Sequence, residues 1–353
     1  SWWEIFGPGH DAYVITVRRP DGSLAAILPL YRVRTKGTVS LVSMGGGVTC
    51  TDHVSLLTAP GEDTAAIGET MGRWLAQVAS SPKEGWDFLH LDGVVAENRS
   101  VTAFARGLRQ EGAALHGCSR MNLWFLPVGD RTWDDYLAEM NRHDRRKNRK
   151  RGKMVDETPG LELVIPQTET SVANTLETII ELHQRRWNAE QEPGSFSGAA
   201  MCQFIHRAAQ SLFQRGQLRL PTLYLNGQAI AGEIQIVGRD RVLYCYSSGM
   251  DTKFRDLEPG RIIQAETMKY AHSRHLTGVD MMRGDEPYKA RLHCQPYPLI
   301  QLRAVAPRIL PRLQHAAWRT GFEVKQWMRR KTGRSPLATF DLTVPISPLL
   351  VAD

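Results

Sequence analysis

Apolar and polar residues alternate with a two-residue period in several short runs, and turn residues separate them. The run at 14–17 meets Asp21-Gly22, a second run follows at 24–31, and after Lys36-Gly37 a third spans 38–44. The same order returns in the second half: a run at 223–225, the pair Asn226-Gly227, a run at 229–237, then Arg239-Asp240 and a run at 242–247. Asp-Gly and Asn-Gly between such runs predict hairpins closed by type I′ turns, which need positive φ at both central residues. Ala59-Pro60-Gly61 then leads into a helical stretch to about residue 78, and Glu258-Pro259-Gly260 into one to about 272. A further strand opens at Gly85-Trp86-Asp87 in the first half and at Gly278-Val279-Asp280 in the second. All three pairs of landmarks are offset by about 200 residues, which reads as a duplication. Two unrelated domains sharing common turn chemistry are the alternative. Each copy is expected to be mixed α/β, with a largely antiparallel sheet flanked by helices.

Helical periodicity also predicts elements at 101–110, at 171–187 and 199–215 ahead of the second copy, and at 308–331, with strands at 113–118 and 122–128. A chain of 353 residues is about twice the usual domain. The expected division is a first domain at 1–130, a basic linker helix at 131–160, a catalytic second domain at 161–303, and a helical extension and tail at 304–353.

Composition narrows the function classes. No run approaches the ~20 apolar residues of a membrane-spanning helix, so none is expected. Five cysteines, scattered and without a CxxC pair, argue against a disulfide scaffold or a zinc site and suggest a reducing, cytoplasmic compartment. There is no Gly-x-Ser-x-Gly elbow, P-loop, GxGxxG or His-x-x-x-His spacing, so neither serine hydrolysis nor metal dependence is expected. The net charge of +7 points to anionic partners, whether a nucleotide cofactor, a phosphorylated substrate, tRNA or a membrane surface. Much of that charge lies where Arg142, Arg145, Arg146, Arg149 and Lys153 recur at helical spacing, a cationic stripe that can hold phosphates or simply be solvated. The segment 308–331 sets Trp318, Phe322 and Trp327 among Arg312, Arg319, Lys325, Arg329 and Arg330. Its aromatic stripe is expected to pack on the second domain, with peripheral contact to an anionic membrane as the other use.

Ala229-Ile230-Ala231-Gly232-Glu233, the strand through Tyr246, Pro259-Gly260 before a helix, and Asp280, Arg283-Gly284-Asp285 and Tyr288-Lys289 together resemble the GNAT-superfamily group associated with cellulose biosynthesis (CelD/BcsL-like). The likeness covers the second half well, including His183 to Trp187 and Gly194-Ser195-Phe196, and the first half more loosely. It implies tandem GNAT-like folds, as in Fem-type peptidoglycan aminoacyltransferases, and acyl transfer from a thioester or an aminoacyl ester. The opening Trp2-Trp3-Glu4-Ile5-Phe6-Gly7 looks like the end of a helical segment that such proteins carry earlier, so the numbering is expected to start inside the first domain.

For coenzyme A, the order strand, loop 250–259, helix at Gly260-Arg261 provides a helix N-terminus for a pyrophosphate, with Tyr246, Pro259, Gly260 and Arg261 as cofactor-binding candidates. The loop lacks the Arg- or Gln-led glycine run usual in GNAT enzymes, and an ordinary Pro-Gly helix start reads the same residues. The first copy has Glu62-Asp63 after its Pro-Gly pair, which repels a pyrophosphate. A general base is expected in Glu233 or Asp280. Glu233 and Gln235 alternate with Ile234 and Ile236, giving one polar face to the strand. Tyr288 is read as a proton donor to a departing thiolate and Lys289 as a cation beside developing charge. His183, Trp187, Arg283 and Asp285 are the substrate-binding candidates, and Arg142, Arg145, Arg146 and Arg149 the anion-binding ones. Each of these also admits a purely structural role.

The expected activity is an N-acyltransferase moving an acyl group from acyl-CoA, acetyl-CoA in the simplest case, to an amine or hydroxyl on a small-molecule, sugar or lipid-linked acceptor. Direct transfer in a ternary complex follows because no cysteine is visibly activated, and no tightly bound cofactor is expected. The alternatives are a Fem-type transferase using aminoacyl-tRNA, gripped by the basic helix, and a non-catalytic module binding an anionic polymer. Fem-type enzymes often insert a long helical hairpin in the second domain, and 187–218 leaves no room for one.

Overall fold

The computed structural model describes residues 1–344. The chain forms two compact units: Trp2–Leu123 with the segment from Tyr297 onward, and Trp124–Pro296 together with Ser1. This differs from the linear division expected from the sequence. The strand Gln295–Val305, which falls at the end of the expected second domain, pairs antiparallel with Phe88–Val95 from Leu299↔Val95 to Val305↔Phe88. Its Ile300, Leu302 and Ala304 are buried with Leu30, Leu41, Leu75, Trp86 and Phe104 in one core, which ties this stretch to the first half. The strands expected at 113–118 and 122–128 are a single element, Ala114–Pro127.

In the first-half unit, Asp11–Arg18 and Leu24–Thr35 form a hairpin. Only Gly22 has positive φ in its turn, Arg19 N–H donates to the Ser23 carbonyl, and the register slips between Val17 and Arg18. This is a three-residue loop rather than the expected type I′ turn, because Pro20 holds its φ negative and leaves the left-handed position to Gly22. Thr38–Ser43 continues the sheet and then runs parallel to Phe88–Val95 through Ser40↔Phe88 to Val42↔His90. The helix Thr64–Gln77 starts three residues after Gly61, with Asp63 as its N-cap. Gly61 and Gly260 are therefore not equivalent helix starts, since Gly260 lies inside its helix.

The second-half unit repeats the path. Thr222–Leu225 and Gln228–Val237 form a hairpin whose turn residues Asn226 and Gly227 both have positive φ, as a type I′ turn requires. Val242–Met250 follows antiparallel and then runs parallel to Gly278–Arg283 from Val242↔Gly278 to Tyr244↔Asp280. Aligning the two ladders puts His90, not Asp87, in the place of Asp280, so the Gly-x-Asp triplets are not structural equivalents. Gln228–Val237 is covered on both sides. Ile234 packs with Ile179 and Leu176 of the helix Glu169–Ala189, while the Gln235 amide reaches Thr267 of the helix Pro259–Ser273. The polar face expected to be open therefore lies under a helix.

Candidate functional site

Two features of the second-half sheet open a space at its centre. Val242–Met250 and Gly278–Arg283 stop pairing beyond Tyr244 and Asp280. On the other side of Val242–Met250 the register shifts, Ile234 facing Ser247 and Gln235 facing Cys245, which leaves Tyr246 as an extra residue in a bulge. The cavity there measures about 430 Å³ and is lined by Gly232, Glu233, Ser248 to Met250, Arg186, Arg255, Glu258 to Arg261, Ile263, Gln264 and Tyr288. That is the size range of small-ligand sites.

Glu233 is 6% exposed. Burial pushes its carboxyl above the usual carboxylate range, against the opposing pull of the Gln235 hydrogen bond and the Arg219 charge. Gln235 donates to Glu233 and to Thr267 Oγ1, and accepts from buried Arg219, whose guanidinium lies 4.2 Å from the Tyr270 ring centroid. This network fixes one carboxylate oxygen and leaves Glu233 as an ionisable wall of the cavity. The Cys245 thiol faces the same carboxylate, and burial pushes its pKa well above its ordinary value.

The opposite wall is the start of Pro259–Ser273. Pro259 occupies the first turn, and the N-cap Glu258 has φ 53° and makes no side-chain capping bond. Its carboxylate instead pairs with Arg151 of the basic helix at 2.7 Å, a contact that holds it below the usual carboxylate range. A Cβ at Gly260 would meet only Met250 Sδ, at 3.8 Å, and Gly260 has no left-handed backbone. Neither packing nor conformation within the chain demands a glycine there. The Arg261 guanidinium lies 4.7 Å from the Tyr288 ring centroid. Burial, followed by the repulsion of Arg151, lowers the Arg261 pKa, and burial raises that of the Tyr288 hydroxyl.

Of the residues singled out from the sequence, Glu233, Tyr288, Pro259, Gly260 and Arg261 come together around this cavity. The others stand apart from it. Lys289 is 2% exposed, and its Nζ donates to the carbonyls of Met282, Arg283 and Gly284 at 3.1, 2.9 and 3.0 Å. Its charge is thus spent on closing the turn after Gly278–Arg283. Asp280 is fully buried and accepts from Met282 N–H at 2.7 Å, in a turn where Met282 has φ 56°. Asp285 accepts from Trp124 Nε1 at 3.0 Å. His183 is buried against the Phe196 and Trp187 rings, and its imidazole pKa is lowered by burial. Tyr246 packs against the Ile179 and Ile234 core. Arg186 and Arg255 were not foreseen as cavity residues. Arg186 sits one position from the expected Trp187, and helical spacing alone does not say which neighbour turns inward.

The basic helix spans Arg142–Arg151, capped by Asn141, with Asn148 buried on its inner side. Arg142, Arg146 and Arg149 are exposed and Arg145 half-buried. None of the four has an acidic partner within 4 Å among the described residues.

Residues 141–290 match the family model described as an acetyltransferase (GNAT) domain. No curated protein matches the chain. Among solved structures, the crystal structure of FemX is 14% identical, the alignment covering 88% of this chain and 92% of FemX at a TM-score of 0.61. A conserved protein of unknown function from Bacteroides thetaiotaomicron is 12% identical over 86% and 88%, TM-score 0.51. The C-terminal domain of a putative lysylphosphatidylglycerol synthetase from Agrobacterium fabrum is 9% identical over 83% of each chain, TM-score 0.51. At such identities the likeness is one of fold. The fold is a tandem of GNAT-like units, and within it the segment 141–290 is the part that matches the GNAT acetyltransferase model.

Proposed function

We propose that the second-half cavity transfers an acyl group from acyl-CoA to an amine or hydroxyl acceptor, in a ternary complex and without a covalent enzyme intermediate. The observation that carries this reading is a buried glutamate of raised pKa facing a helix start that offers a glycine in open space and an arginine. The Gly260 N–H, with the Arg261 and Arg255 side chains, would hold the donor's pyrophosphate at the positive end of Pro259–Ser273, since Pro259 has no N–H and the Arg261 N–H donates to the Glu258 carbonyl. Glu233 would take the proton from the acceptor as its nitrogen or oxygen bonds to the thioester carbonyl carbon. As the carbon–sulfur bond breaks, the thiolate would take the Tyr288 hydroxyl proton, and the proton gained by Glu233 would pass through solvent back to Tyr288. The group assignment to CelD/BcsL-like proteins rests on the motif Gly232-Glu233, Pro259-Gly260 and Asp280 to Lys289 in this domain.

An aminoacyl ester carried on tRNA is the second reading, and Arg142, Arg145, Arg146 and Arg149, which have no acidic partner among the described residues, favour it. Calorimetry with acetyl-CoA, longer acyl-CoAs and charged tRNA in parallel separates the two. Acyl-CoA binding that is lost in Arg261→Gln supports the first, whereas tRNA binding alone, lost when Arg145, Arg146 and Arg149 are neutralised, replaces it with the second. Binding of neither leaves no donor and rejects both.

A further inference from the structure

The helix Ile309–Lys331 has two apolar faces, and its own unit covers one of them. On the covered side Pro311, His315 and Gln326 are buried, Trp318 and Phe322 stack 5.4 Å apart, and His116 meets both rings edge-on. This packing is with the first-half unit, not with the second domain as the sequence suggested. The opposite side of a surface helix is ordinarily polar. Here it presents Ile309, Leu310, Leu313, Val324, Trp327 and Met328, exposed between 46% and 80%. At each end these positions are three or four residues apart, and at 100° per residue both ends fall on the same face of the helix, about 29 Å from first to last. Large exposed apolar residues gathered on one helix face, with only the small Ala317, Thr320 and Gly321 between the two groups, mark an interaction site.

Charge identifies the occupant. The segment 308–334 holds eight Arg and Lys and one acid, Glu323, which is itself paired with Arg319 at 3.0 Å. Arg312, Arg319 and Arg330 lie along one flank of the stripe and Lys325 along the other. A second copy of the chain would bring these like charges together, while an anionic surface attracts them. No helix among the described residues is long and apolar enough to cross a membrane. We propose that Ile309–Lys331 lies in the plane of an anionic lipid surface, with Leu310, Leu313 and Trp327 at the acyl boundary and the flanking cations at the headgroups. This surface is independent of the catalytic reading.

The test is flotation of the whole chain with phosphatidylcholine vesicles and with vesicles in which phosphatidylglycerol replaces part of the phosphatidylcholine. One variant combines Leu310→Gln, Leu313→Gln and Trp327→Gln, and a second combines Lys325→Gln, Arg330→Gln and Lys331→Gln. Thermal melting should be unchanged in both, because the replaced side chains are already exposed. The parent should float only with the anionic vesicles, and less so as salt is raised. The apolar variant should lose about tenfold or more of its partitioning, and the charge variant part of it. A parent that does not float, or an apolar variant that floats as well as the parent, overturns the proposal. So does light scattering that finds the parent dimeric and the apolar variant monomeric, since the stripe would then be covered by a second copy.

Discussion

Replacing Lys289 with Met should unfold the second-half unit at a lower temperature without touching the chemistry. The Lys289 ammonium is buried and donates to three carbonyls, at 3.1, 2.9 and 3.0 Å. Methionine fills a similar volume and donates nothing, so all three acceptors lose their partner. A buried polar group left unpaired costs about 1–3 kcal/mol, and relief of the ammonium's own desolvation offsets part of that sum. The Glu286 carboxylate, 2.9 Å away, is 54% exposed, so its ion pair adds little. The net loss is about 3 kcal/mol, which for a unit of this size lowers Tm by roughly 6–12 °C. Calorimetry or circular dichroism measures the shift, and kcat per folded molecule, determined well below the transition, should stay within about threefold of the parent. A variant that melts with the parent but loses about 10²-fold or more in kcat would place the ammonium at the reacting centre and refute the structural role.

Three further outcomes follow from the cavity and the basic helix. Glu233→Gln should cut kcat by about 10²–10⁴-fold; because burial raises the Glu233 pKa, the parent's kcat/KM should rise with pH through a midpoint above the usual carboxylate range, and that acid limb should vanish in the variant. Persistence of the limb assigns the base elsewhere. Gly260→Ala should leave Tm unchanged, since the new methyl meets only Met250 Sδ at 3.8 Å, yet weaken acyl-CoA binding about tenfold in calorimetry; unaltered affinity means the donor does not approach that helix start. Neutralising Arg145, Arg146 and Arg149 together should weaken the anionic partner and flatten its salt dependence, and an unchanged salt slope would make the stripe a solvated face.

Local chemistry was the legible part of the fold. Type I′ pairs, Pro-Gly starts and two-residue alternation act over a few residues, so the hairpin at Asn226-Gly227 and the helices Arg99–Gln110, Glu169–Ala189 and Ala199–Gln214 lie close to where the pattern puts them. Long-range pairing left no such trace. Nothing in Gln295–Val305 distinguishes a strand that joins Phe88–Val95 from one that joins its nearer neighbours, because the ladder uses backbone groups common to all residues. For the site, the strand position of Glu233 and the helix start at Pro259 were visible in the pattern. The direction of Lys289 was not. A buried lysine among carbonyls and a lysine facing a reacting group have the same sequence neighbourhood, and only the turn geometry after Arg283 separates them.

The two copies of the fold differ at each point where chemistry would occur, and the differences share a direction. In the first-half unit the Asp63 carboxylate accepts from Ala65 and Ala66 N–H, both at 3.0 Å, so the start of Thr64–Gln77 already holds an anion of its own. In the second-half unit the N-cap of Pro259–Ser273 provides no such acceptor, and its glutamate is drawn off to Arg151. Following the ladders from Ser40↔Phe88 and Val242↔Gly278 puts Leu28 and Leu30 in the places of Glu233 and Gln235. Both leucines are buried in the apolar core, so that position carries no ionisable group and no network to orient one. His90, in the place of Asp280, is lowered by burial to about 4 and stays neutral. Asp87, at the start of the same strand, accepts from Val39 N–H at 2.7 Å and pairs with Arg308. With leucines at both positions the first-half unit has no buried carboxyl there whose pKa desolvation could raise. The helix start without a side-chain cap and the buried carboxyl of raised pKa thus fall together in the second-half unit.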